Sequence, residues 1–88
     1  MRIHIMNHAV DKIKERIGKS NWIDLAYEAF KSKEEIPIWF SESDKNLKKL
    51  GYSTYDYRFY LGAIWVFQKN PYDYKLLTVF KKKYEKEN

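Results

Sequence analysis

Tyr55-Asp56-Tyr57-Arg58-Phe59-Tyr60-Leu61-Gly62-Ala63-Ile64-Trp65-Val66-Phe67-Gln68 decides the fold class of this chain. Two runs of aromatic and β-branched residues flank a two-residue turn containing glycine, the pattern of an antiparallel hairpin. With Leu61-Gly62 as the loop, Tyr60 pairs with Ala63, and Arg58 sits across from Trp65 on one face. The breaker-rich Lys69-Asn70-Pro71-Tyr72-Asp73 then turns the chain into Tyr74-Lys75-Leu76-Leu77-Thr78-Val79-Phe80, a third strand. The register of that strand is left open, and with it whether Thr78 shares a face with Arg58. Aromatic residues fall on both faces of such a sheet. One face should take helices, and the other should hold a groove or meet a partner.

Upstream the period is helical. In Asn7-His8-Ala9-Val10-Asp11-Lys12-Ile13-Lys14-Glu15-Arg16-Ile17-Gly18-Lys19, the residues Met6, Ala9, Val10, Ile13 and Ile17 share one arc. His8, Lys12 and Glu15 share the far side, at spacings of four and three, with Arg16 at the border. Asn7 is the expected N-cap and Gly18 the left-handed C-cap. Ser20 is placed to cap a second helix over 21–33, whose apolar set is Trp22, Ile23, Ala26, Ala29 and Phe30, with Leu25 and Tyr27 at its edges. Pro37 stops propagation beyond it.

Three stretches are less determined. Arg2-Ile3-His4-Ile5-Met6 alternates and reads as a short strand or as a lead into the first helix. Ile36-Pro37-Ile38-Trp39-Phe40 reads as an edge strand or a loop plugging the core. Ser41-Glu42-Ser43-Asp44, followed by Leu47, Leu50 and Gly51, predicts a short third helix. The expected architecture is α+β. An N-terminal helix pair (7–33) packs on a C-terminal antiparallel meander of three or four strands (55–80). A connecting segment (34–54) and a charged tail (81–88) complete one domain, 1–88.

Composition narrows the function classes. With no cysteine, disulfides and thiolate metal sites are excluded. No apolar run approaches the roughly 20 residues of a spanning helix. Arg2 and His4 interrupt any signal-peptide core, so the cytoplasm is the expected location. The formal net charge of +5 comes mostly from lysine and favours polyanions such as RNA, or another phosphate-bearing partner. A soluble Lys-rich surface explains the same charge. Lys81-Lys82-Lys83 and Glu34-Glu35 read as solvated.

The helix stretch His8-Ala9-Val10-Asp11-Lys12-Ile13-Lys14-Glu15-Arg16 and the meander motifs Tyr57-Arg58-Phe59-Tyr60, Ile64-Trp65-Val66-Phe67 and Leu76-Leu77-Thr78-Val79 together resemble RelE-like and BrnT-like small toxins. They also resemble a related uncharacterised family of bacteria and phages that opens with H-A-x-x-R-x-x-E-R. The resemblance covers about two-thirds of the chain, through a short motif. It implies a metal-independent ribonuclease fold with His8 as the helix-borne acid or base. Arg58 would neutralise the phosphate, assisted by Thr78 or a nearby tyrosine. Lys12 stands where the motif more often has Arg, which keeps the charge but loses the bidentate fork.

Read residue by residue, RNA cleavage needs a base, an acid and cations on the phosphate. The candidate catalytic set is His8, Glu15 and Arg58, with Lys12, Arg16, Tyr60 and Thr78 as phosphate or nucleic-acid contacts. A solvated helix face accounts for His8 equally simply, and stacking on Trp65 or Tyr60 accounts for Arg58. Tyr52 and Tyr55 are candidates for base stacking or a protein contact, against the plainer role of β-formers. His4 and His8 bring too few co-ligands for a metal, so neither metal nor cofactor is expected. Two main functions follow. One is a small ribonuclease-type toxin with an antitoxin partner. The other is a non-catalytic phage or mobile-element protein that blocks a host or defence protein or sequesters a nucleotide. A nucleic-acid regulator ranks behind both, because no helix carries clustered base-reading side chains.

Overall fold

The computed structural model describes residues 2–40 and 55–81. The expected third helix, Tyr52 and the tail beyond Lys81 lie outside the described residues. The hairpin forms as its turn dictates. Leu61 and Gly62 both take positive φ, 53° and 70°, the mirror-image turn whose twist matches that of the flanking strands. It joins β2 (Tyr55–Tyr60) to β3 (Ala63–Lys69), with Tyr60 opposite Ala63 and Arg58 opposite Trp65. β4 (Tyr74–Phe80) completes the antiparallel meander.

The third-strand register settles the position of Thr78. Val66 opposes Thr78 while Phe67 opposes Leu76, so Leu77 is the extra residue of a β-bulge. Thr78 therefore lies on the face of Val66, whereas Arg58 lies on the face of Trp65. Successive strand residues alternate faces, so the two are on opposite sides of the sheet.

Arg2–Met6 resolves as a strand, β1 (Ile3–Ile5), which pairs parallel with β4. The order is β1-β4-β3-β2, a four-stranded mixed sheet rather than a wholly antiparallel one. α1 (Asn7–Lys12) follows directly. The N-cap is Met6 and not the expected Asn7, because the Met6 N–H is still held by the Leu76 carbonyl at 3.1 Å. That bond keeps Met6 extended as the cap, so the helix begins at Asn7, one residue earlier than a cap at Asn7 would place it. The last turn, Ile13–Ile17, widens to π geometry and closes on Gly18 in the left-handed conformation, φ 80°.

α2 (Trp22–Lys31) is shorter than expected at both ends and makes no side-chain cap bond. Its buried residues are Leu25, Ala26 and Ala29. The two alanines let the helix axis come close to the sheet. Ile23, expected on the apolar face, is 58 % exposed, and Leu25 takes the inward position instead.

Both faces of β3 are covered, which explains its unbroken burial over Ala63–Phe67. On the helix face, Trp65, Phe67, Leu76 and Val79 pack with Ile3, Ala9, Ile13 and the α2 alanines. On the other face, Ile64 and Val66 pack with Phe40, Tyr57, Phe59 and Phe80. The stretch 36–40 thus acts as the plug. Phe40, one of three helical residues at 38–40, is buried beneath the sheet with its ring 4.9 Å from that of Tyr57.

Candidate functional site

α1 packs mainly along β4 with Ala9 and Ile13 fully buried, which leaves its opposite side to solvent. His8 is exposed in its first turn. Lys12 reaches Glu15 one turn on, at 3.2 Å, a surface pair worth at most ~1 kcal/mol. His8, Lys12 and Glu15 therefore occupy a helix anchored from beneath. Its final π turn is pinned at two points. Arg16 donates from Nη1 to the Val79 carbonyl at 2.9 Å, and Lys81 donates from Nζ to the Arg16 carbonyl at 3.2 Å. β1 covers β4 only from Tyr74 to Leu76, so the Arg16 fork serves as an edge cap on the uncovered part. Its expected role as a phosphate contact competes with that bond.

Arg58 lies two strands away from β4, on β2. Its Nε donates to the Phe30 carbonyl at 3.0 Å and its Nη1 to the Tyr57 carbonyl at 3.3 Å. The guanidinium stands 5.0 Å from the centre of the Phe30 ring, so the stacking partner is Phe30, not Trp65 or Tyr60. A cation on the last carbonyls of α2 is favoured by the helix dipole and satisfies an orphan acceptor. Three neighbouring strands set ~10 Å between β4 and β2. Arg58 thus works at the end of α2, not over α1.

Tyr60 donates its hydroxyl to Glu28 of α2. That bond, followed by burial and the negative charges of Glu28 and Glu34, raises the Tyr60 pKa above 10.0. The protonated phenol is the form the fold favours. Its contribution is present below the unfolded value and is lost as pH rises through the raised folded value. Phenolate absorbance should show Tyr60 ionising above pH 10, identified by difference from Tyr60→Phe, with Glu28→Gln moving it back down. Ionisation at or below 10 in the wild type would contradict the bond. Tyr55 is half-buried against the second core cluster, beside Tyr57.

One cleft escaped the sequence reading. After α2 the chain forms a strap along the outer edge of β2, with an antiparallel bridge between Glu34 and Phe59. Ser32 donates from Oγ to the Phe59 carbonyl at 2.6 Å and accepts from the Glu34 N–H. Between strap and strand lies an open cleft of about 540 Å³, lined by Lys31, Lys33, Glu34, Ile36, Tyr57 and Arg58 among others. Glu34-Glu35 read as solvated charge because nothing local says that the chain after α2 runs beside Phe59. The only hint was a helix that had to stop before Pro37.

Among the described residues, no three His, Cys, Asp or Glu side chains converge as metal ligands, and no helix is long and apolar enough to cross a membrane. The chain matches no protein-family model, and neither a curated protein nor a solved structure is found similar to it.

Proposed function

We propose that this domain is a small RNA-binding protein of the RelE-like toxin type, a metal-independent ribonuclease working from the outer side of α1. His8 is the acid or base, Glu15 its counterpart, and Lys12 the cation on the phosphate. Cleavage then proceeds by removal of the 2′-hydroxyl proton and protonation of the leaving 5′-oxygen. The observation that carries the reading is the exposed His8 on the same helix as the Lys12–Glu15 pair, with the helix fixed to β4 through Ala9, Ile13 and Arg16. A π turn next to such residues adds support, since these turns recur at functional sites. Arg58 and Thr78 have no joint role here, being on opposite faces. A cytoplasmic location and an antitoxin partner go with this reading.

The placement of Arg58 favours a second reading, a non-catalytic phage or mobile-element protein that sequesters a nucleotide or blocks a host or defence protein. One experiment separates the two. Wild type and His8→Ala are induced in a bacterium, with growth and total RNA integrity followed, and then assayed purified on RNA. The ribonuclease reading expects cleavage to fall about 100-fold or more in the variant, the usual worth of an acid–base group, with unchanged melting. Equal cleavage by both proteins removes His8 from the site. Intact RNA and normal growth with folded wild type select the binder.

A further inference from the structure

We infer that the cleft between the 32–36 strap and β2 is a binding site for a nucleoside-monophosphate-sized ligand, with Arg58, Lys31 and Lys33 on the phosphate and Ile36 against the ring. The inference is independent of the α1 face and uses none of its residues.

The guanidinium is already in place before any ligand arrives. Two of its five N–H groups are tied to the Phe30 and Tyr57 carbonyls, and its plane is braced by the Phe30 ring. An anion reaching the rest of the fork therefore costs little side-chain ordering, which is where binding free energy is usually lost. Lys31 and Lys33 flank the same cleft, so three cations face one carboxylate, Glu34. Arg supplies a directional fork and the lysines supply mobile point charges, the combination suited to a phosphate with three accessible oxygens. The rest of the wall is different in kind. Ile36 is exposed, an apolar side chain on the strap able to cover one side of a planar ring. The Glu34 carboxylate is an acceptor for a sugar hydroxyl or an exocyclic amine. The volume of about 540 Å³ falls within the range of small-ligand sites. The strap itself is held by the Ser32 and Glu34 bonds to Phe59 and needs no ligand to form.

The test is a titration of the isotope-labelled full chain with AMP, adenosine and inorganic phosphate at fixed ionic strength, read by backbone amide shifts. AMP is expected to move Lys31, Ser32, Lys33, Glu34 and Arg58, to saturate at one per chain, and to bind at least tenfold more tightly than adenosine or phosphate. In Lys31→Gln/Lys33→Gln, both changes being at exposed positions, AMP should bind at least fivefold more weakly with melting unchanged. Adenosine binding as tightly as AMP would overturn the phosphate contact, and phosphate doing so would overturn the ring contact. Shifts confined to α1, no shift at millimolar AMP, or full affinity in the double variant would each overturn the site.

Discussion

Trp65→Ala is expected to cost about 3–5 kcal/mol, the range for emptying a fully buried indole, and to lower Tm by roughly 12–40 °C. Trp65 has no exposed surface and sits at the centre of the helix-side core, between Arg58 on β2 and Val79 on β4. Its Nε1 also donates to the Tyr60 carbonyl at 2.9 Å, next to the hairpin turn. Truncation therefore opens a cavity and orphans an acceptor, the second effect adding about 1 kcal/mol. A domain of this length has only ~4–13 kcal/mol to lose, so the loss is a large fraction of its stability. Trp65→Phe separates the two causes. It keeps most of the volume and loses the donor, and should cost about 1–2 kcal/mol. Urea unfolding of all three proteins measures both. A loss under about 1 kcal/mol for the alanine variant would mean that the core described above is wrong.

Arg58→Ala should cost about 2–4 kcal/mol, from two charge-assisted bonds and the Phe30 stack, and the ribonuclease function proposed above expects cleavage per folded molecule to be unchanged. Both halves follow from one placement. The fork ties the last turn of α2 to the edge of β2 and lies two strands from the strand under α1. Arg58→Lys should recover only a minor part of the stability, because an ammonium cannot bridge the Phe30 and Tyr57 carbonyls together. Denaturant unfolding combined with cleavage normalised to folded protein tests this. Cleavage lost at near-native stability would return Arg58 to the reaction and contradict the assignment made here.

What was legible in the sequence was what neighbours decide. The Leu61-Gly62 turn fixes the whole β2–β3 register by itself, and Gly18 marks the end of the first helix because few other residues tolerate its φ. What was not legible depends on partners far along the chain. Ile3–Ile5 is a strand because Tyr74–Leu76 offers it an edge, and Met6 displaces Asn7 as the cap through the same neighbour. The bulge at Leu77, which puts Thr78 and Arg58 on opposite faces, arises in packing and has no local signal. The site divides in the same way. His8, Lys12 and Glu15 were readable from helical spacing. Where Arg58 sits relative to them was not a local property, since its fork is held by the Phe30 and Tyr57 carbonyls, two strands from β4.

The parallel pairing of β1 with β4 also has a temporal meaning. Among the described strands, β1 is synthesised before the others and must wait for β4, Ile3 beside Tyr74 and Ile5 beside Leu76. At about 5–20 residues per second, α1 spends several seconds with Ala9 and Ile13 lacking the surface they are built to cover. Such late, long-range closure slows folding and leaves the nascent amphipathic helix open to chaperones. Synthesis that stops before Tyr74 would release a chain with the hairpin complete and the α1 helix without its seat.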